Sequence, residues 1–244
     1  MGNPSPAHKT STVESSSAVT SGEFVMLDGE PHYRIAAYQQ LNPFLISVPS
    51  DTDLWMFITS RGGLTAGRVD SSNTLFPYQT VDELHDAHRH TGPITLIRIE
   101  QDNGPDIVWE PFAPSSSKQI ESERSLYKNA TGNRIVFEEI QREFGLVFRY
   151  SWAACDQYGW VRSAALENTS DDSLRATILD GLRNILPHGA PLSLYQQSGN
   201  LVDAYKKTEI DADSGMGIFS LTAGITDRAE AIEILHANTV WCRG

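Results

Sequence analysis

The chain has 244 residues, 40% of them apolar and 9% aromatic, enough to bury one large core or two smaller ones; a large β-sandwich of this length is commonly one domain. With 19 basic and 31 acidic side chains the formal charge is −12, so the averaged field repels phosphate backbones and anionic membrane surfaces and argues against nucleic acid and membrane as partners. Cys155 and Cys242 lie far apart and neither belongs to a CxxC pair, which leaves a disulfide framework and a zinc knuckle without support and fits free thiols in a reducing cytoplasm.

Residues 1–22 are rich in Ser, Thr, Pro and Ala and read as a disordered leader, with a single globular body over 23–244. A secretory signal needs about 7–15 consecutive apolar residues and a membrane span about 20, and neither pattern occurs. The first β signal is 44–48, followed by Leu54-Trp55-Met56-Phe57-Ile58, which runs into the turn Thr59-Ser60-Arg61-Gly62-Gly63 and then Leu64-Thr65-Ala66-Gly67-Arg68. Apolar β-formers ending at Gly-Gly predict a strand closing in a tight turn, with Arg61 and Arg68 at a sheet edge. Leu75-Phe76-Pro77-Tyr78 is a stiff apolar knuckle suited to bracing a neighbouring surface or stacking on a ring-shaped ligand.

Between 82 and 90, His85, His88 and His90 alternate with Asp82 and Asp86 at plausible ligand spacing. On a helix only His85 and His88 share a face, and Arg89 disfavours a cation, so the stretch reads as a solvated polar loop and no metal is assigned. Further strands are expected at 94–100, 107–110, 134–141, 146–153, 160–167, 175–182 and 217–222, separated by turns of Gly, Asn, Asp and Pro. This is the rhythm of an antiparallel β-sandwich, an all-β fold. In 160–167 the even positions Trp160, Ala164 and Leu166 share one side with Arg162, which must be paired or marginal. The 175–182 run alternates only loosely and reads as covered on both faces. Two short helices complete the pattern: one over 199–207 with Asn200 as its cap, one over 227–237. The chain stops at Trp241-Cys242-Arg243-Gly244, directly after large apolar residues, which predicts a cut at a domain boundary or a larger parent protein.

Sugar-binding surfaces pair an aromatic face with planar polar side chains, because buried hydroxyls need partners. Trp55, Trp109, Trp152, Tyr158, Trp160 and Tyr78 supply rings, and Arg61, Arg68 and Arg162 supply donors. Arg61, Arg68, Tyr78, Trp152, Trp160 and Arg162 are the carbohydrate candidates, although tryptophans in a sandwich are more often core. A mutarotase-type site needs an imidazole and a carboxylate at one anomeric carbon: His188 is the imidazole candidate, and Glu138, Glu139, Glu167 and Glu209 are the candidate bases. Neither a nucleophile elbow nor a phosphate-binding loop occurs, and no cofactor is called for.

Several segments carry a family resemblance: Asn42-Pro43-Phe44, Trp55-Met56-Phe57-Ile58-Thr59-Ser60, Gly62-Gly63-Leu64-Thr65-Ala66-Gly67-Arg68, Leu75-Phe76-Pro77-Tyr78, Val161-Arg162-Ser163-Ala164-Ala165-Leu166-Glu167-Asn168-Thr169-Ser170, and Asp180-Gly181-Leu182-Arg183-Asn184-Ile185-Leu186-Pro187. In this order they resemble the amino-terminal domain of cellobiose-phosphorylase-like carbohydrate-active enzymes, across most of residues 24–241. The resemblance implies a β-supersandwich related to galactose mutarotases that packs against a helical linker and an (α/α)6-barrel domain. In such enzymes the proton-donating carboxylate belongs to the barrel. The expectation for this chain is therefore no catalytic residue of its own, with roles in interdomain or subunit contact, including a homodimer, and in holding an oligosaccharide or small sugar. The alternative is a stand-alone mutarotase-type sugar epimerase.

Overall fold

The computed structural model describes residues 19–101, 104–113, 122–225 and 236–244. In chain order the strands are β1 (Ser21–Leu27), β2 (Glu30–Ala36), β3 (Leu45–Val48), β4 (Leu54–Thr59), β5 (Leu64–Arg68) and β6 (Thr74–Phe76), followed by helix α1 (Val81–Ala87). Next come β7 (Gly92–Ile99), β8 (Ile107–Trp109), β9 (Ser122–Asn129), β10 (Arg134–Gln141), β11 (Leu146–Cys155), β12 (Gly159–Asn168) and β13 (Ala176–Arg183). Helix α2 (Leu192–Tyr205), β14 (Lys206–Ile210), β15 (Gly217–Leu221) and β16 (Asn238–Val240) follow.

The fold is an all-β antiparallel sandwich. A six-stranded sheet, ordered β1-β2-β9-β10-β11-β12, faces a four-stranded sheet, β3-β4-β5-β6, and a three-stranded sheet, β13-β7-β8. One core lies between them: Ile135, Phe137, Phe148 and Trp152 from the large sheet meet Met56, Ile58, Leu64 and Phe76 from the second and Ile97, Ile99 and Trp109 from the third. Each such side chain fully withdrawn from water contributes about 1.5–3 kcal/mol. The strands β14-β15-β16 form a further small sheet, and a minor cluster of Ala190, Val202 and Leu221 joins it to α2.

The expected strands 54–59 and 134–141 appear with those bounds, and the 59–63 turn closes the β4–β5 hairpin, with Thr59 donating its N–H to the Gly63 carbonyl at 2.7 Å and Gly62 at φ 87°. Strand β5 is paired on both sides, to β4 and β6, so Arg68 does not mark a sheet edge. The apolar knuckle braces: Phe76 is core and meets Trp152 edge-on at 6.3 Å, and Tyr78 meets Trp55 at 5.8 Å.

Four elements differ from the sequence reading. The histidine-bearing segment expected as a loop is helical over α1, because Leu84 and Ala87, three apart, bury one stripe against β4 and β5. Helix α2 begins at Leu192, not near Gly199, and non-helical Ser198 divides it; Lys206 and Lys207 already belong to β14. Strand β13, read as covered on both faces, is an edge strand with its first half exposed. Strand β1 begins inside the stretch read as leader, while residues 1–18 and most of the expected 227–237 helix lie outside the described residues. Among the described residues no helix is long and apolar enough to cross a membrane.

Candidate functional site

Two adjacent glutamates show how the large sheet organises polar groups. Successive strand residues point to opposite faces, so Glu138 and Glu139 on β10 are directed to opposite sides of the sheet, and both are buried. Register puts Arg149 of β11 opposite Glu138 and Arg124 of β9 opposite Glu139, giving ion pairs of 2.5 and 2.7 Å. Tyr127 donates to Glu138 at 2.7 Å; burial first, and this glutamate second, push the Tyr127 phenol up to about 12. Glu139 also accepts from Trp109 Nε1 at 3.0 Å and from the Phe112 backbone N–H at 2.6 Å. These carboxylates are structural: every buried lone pair in use fixes a neighbouring strand or loop.

The Glu139 bond to Phe112 leads to the site. Phe112 has φ 64°, a left-handed conformation that is costly for a bulky side chain, and it is held there by the Glu139 carboxylate. Its ring forms one wall of a cleft of about 50 Å³, also lined by Arg61 and Gly62 of the β4–β5 turn, His88 after α1, Thr95 of β7, Glu110, Tyr150 of β11 and Arg183 of β13. That volume holds about three to five water positions, at about 10–15 Å³ each. Tyr150 stacks on Phe137 with centroids 4.8 Å apart and is only 4% exposed, yet its hydroxyl borders the cleft, 3.2 Å from where a methyl on Gly62 would stand. Burial, with Tyr38 adding to it, raises this phenol well above the usual tyrosine range, so it is a neutral donor at pH 7. It meets no hydrogen-bond partner among the described residues.

Around this phenol the charged groups are arranged on both sides. Arg162 of β12 lies over the Tyr150 ring at 5.1 Å and grips Asp180 of β13 through both terminal nitrogens at 2.5 and 2.8 Å, while Thr95 Oγ1 donates to the same carboxylate at 2.5 Å. Arg183 spends its terminal nitrogens on the carbonyls of His88 and Arg89, each at 2.8 Å, and its buried Nε–H meets no partner among the described residues. Arg61 makes a long contact to Asp86 at 3.4 Å. His88 Nδ1 lies 3.0 Å from the His85 carbonyl, and burial lowers its pKa, so the ring is neutral at pH 7, donates from Nδ1 and keeps Nε2 as an acceptor.

Of the sequence candidates, Arg61 lines this cleft and Arg162 stands behind it, over the ring of the lining Tyr150. Arg162 is paired, as its place on an apolar strand face requires. Arg68 and Tyr78 lie elsewhere, on the outer side of the four-stranded sheet, where Arg68 binds Asp53 at 3.0 Å and Tyr78, 41% exposed, joins Trp55 and Phe57 in an aromatic group. Trp152 is core at 1% exposure and offers no open face to a sugar; Trp160 is half-buried against the same core. His188 has the His236 ring as its neighbour, 5.2 Å between centroids, and burial followed by that imidazole lowers its pKa. The four candidate bases hold cations instead: Glu167 pairs with Arg149 at 3.0 Å and Glu209 with Lys207 at 2.9 Å, beside the buried pairs of Glu138 and Glu139.

His88, Glu110, Phe112, Tyr150 and Arg183 were not read from the sequence as a site. They converge from four separate segments, and the one local signal was the polar 82–90 run. No protein-family model and no curated protein matches the chain.

Proposed function

We propose that the chain is a non-catalytic amino-terminal β-supersandwich domain of a glycoside phosphorylase- or hydrolase-like protein, contributing contacts to a following (α/α)6-barrel domain or to a second subunit, and holding carbohydrate. The observation that carries this reading is the free edge of β13. Ile178 and Leu179 are 48% and 59% exposed on a strand that has no second neighbour among the described residues, a combination that folded domains cover with another element or partner. The facing edge strand β12 is tied to it by Arg162 and Asp180 and exposes Ser163, Ala164 and Ala165, small residues that allow close approach.

Support against a stand-alone epimerase comes from the placement of its candidate groups. Acid–base chemistry at an anomeric carbon needs imidazole and carboxylate within hydrogen-bond reach of one substrate, whereas His188 neighbours a second imidazole and the four glutamates are committed to Arg and Lys.

The test begins with the reading frame past Gly244. The expected result is a downstream helical-barrel domain that, expressed separately, co-purifies with the 244-residue chain and releases it when Ile178→Asp and Leu179→Asp are introduced together. A frame that ends without such a domain, or a double variant that binds it as tightly as the unaltered chain, contradicts the reading.

A further inference from the structure

We propose that the cleft around Tyr150 grips the hydroxyl-bearing edge of a sugar ring, a proposal that rests on the carbohydrate role above and gives that role a site. Three observations combine. The first is an unpartnered donor: the Tyr150 hydroxyl belongs to a 4%-exposed residue, opens onto the cleft, and stays protonated. Among the described residues nothing bonds this hydroxyl, so its partner in the cleft comes from outside the protein: water, or a ligand hydroxyl that takes the place of water. The second is Arg61 on the same lining, whose contact to Asp86 is long at 3.4 Å and leaves guanidinium N–H groups for a ligand. The third is the backbone of Phe112, held at φ 64° by Glu139, which fixes an aromatic wall beside these donors.

Charge decides between an anion and a neutral polyol. The lining carries Arg61, Arg183 and Glu110; Arg61 is already paired with Asp86 and Arg162, behind the Tyr150 ring, with Asp180, while Arg183 spends its terminal nitrogens on backbone carbonyls and shares the cleft with Glu110, so no cation stands there without a carboxylate to receive a phosphate or a free carboxylate. What it offers is a mixed set. Tyr150 and Arg61 donate; Glu110 and His88 Nε2 accept; Phe112 supplies an apolar face. Vicinal hydroxyls need both kinds of partner, and the C–H face of a pyranose needs a ring. Size sets the manner of binding: about 50 Å³ admits two hydroxyls and the carbons that bear them, in place of the three to five waters, and leaves the rest of the ring outside.

The test is calorimetric titration of the 244-residue chain at pH 7 with cellobiose and with chitobiose, alongside sodium phosphate at matched ionic strength. One disaccharide saturates with a millimolar dissociation constant, Tyr150→Phe weakens it about fivefold, and Arg61→Ala about tenfold or more, the ranges for losing one neutral or one charge-assisted hydrogen bond. Tyr78→Ala, on the outer aromatic group, leaves the affinity unchanged. Because the Tyr150 hydroxyl has no partner among the described residues, Tyr150→Phe is expected to keep the melting temperature of the unaltered chain, which separates lost binding from lost folding. The proposal is overturned if neither disaccharide saturates, if phosphate displaces the sugar from the cleft, or if Tyr78→Ala abolishes binding while Tyr150→Phe does not. None of those outcomes touches the reading frame past Gly244, so failure of the site and failure of the domain reading are told apart.

Discussion

Arg162 stands on a strand face it shares with Trp160 and Leu166, and its tolerance there depends on Asp180. The side chain is 8% exposed and Asp180 27%, with two hydrogen bonds between them and Thr95 as a third member. Removing Arg162 leaves the Asp180 carboxylate without its counter-ion and only partly hydrated, so Arg162→Ala is expected to cost about 2–4 kcal/mol, somewhat below the full penalty of a deep pair because Asp180 retains some solvent. At about 2–4 °C per kcal/mol for a chain of this size, urea and thermal melts resolve the effect readily. An Arg162→Leu, Asp180→Leu double variant regains most of it, since no isolated charge remains. An Arg162→Ala chain as stable as the unaltered one would show that the pair is a surface decoration. The requirement that Arg162 be paired was legible in the alternation of 160–167; the identity of the partner was not, because Asp180 lies on a different sheet.

At the scale of elements, the β4–β5 turn is the sharpest case of sequence dictating geometry. Gly62 supplies the positive φ, and Gly63 supplies absence: a methyl there would stand 2.1 Å from the Leu84 carbonyl oxygen of α1. Since the obstacle is backbone, Gly63→Ala must displace α1 or the turn, and a loss of about 1–3 kcal/mol is expected by denaturant titration, the range for overpacking. An unchanged midpoint would mean that α1 is loosely held. Strands rich in Val, Ile and aromatics, such as 54–59 and 134–141, were legible because both the apolar run and the flanking turns agreed. Strands β1, β2 and β9 were not, because half of their side chains are charged or polar and find partners only across the sheet: Arg34 with Glu23 at 3.2 Å, Arg124 with Glu139. One local signal for that hairpin was present. Asp28 and Gly29 both take positive φ between β1 and β2, the two-residue turn whose twist suits adjacent strands. The α1 segment misled for the converse reason: its polar residues dominate the composition, while two buried residues determine the helix.

For the whole molecule, one core shared by three sheets fixes where chemistry can gather. Arg61, His88, Thr95, Glu110, Phe112, Tyr150 and Arg183 meet only because the large sheet closes over the other two, and that convergence over more than a hundred residues of chain leaves no periodicity to read. The same closure commits Glu138 and Glu139 to arginines and leaves His188 beside His236. It also leaves the β13 edge open with Ile178 and Leu179 on it. These placements support the proposed reading, in which this chain holds and docks and bond chemistry is performed elsewhere. Polarimetry of freshly dissolved α-glucose and α-galactose tests that assignment most directly. With the purified chain present, optical rotation is predicted to drift at the spontaneous rate, identically for the unaltered protein and for His188→Ala; a faster drift that disappears in His188→Ala would contradict the account.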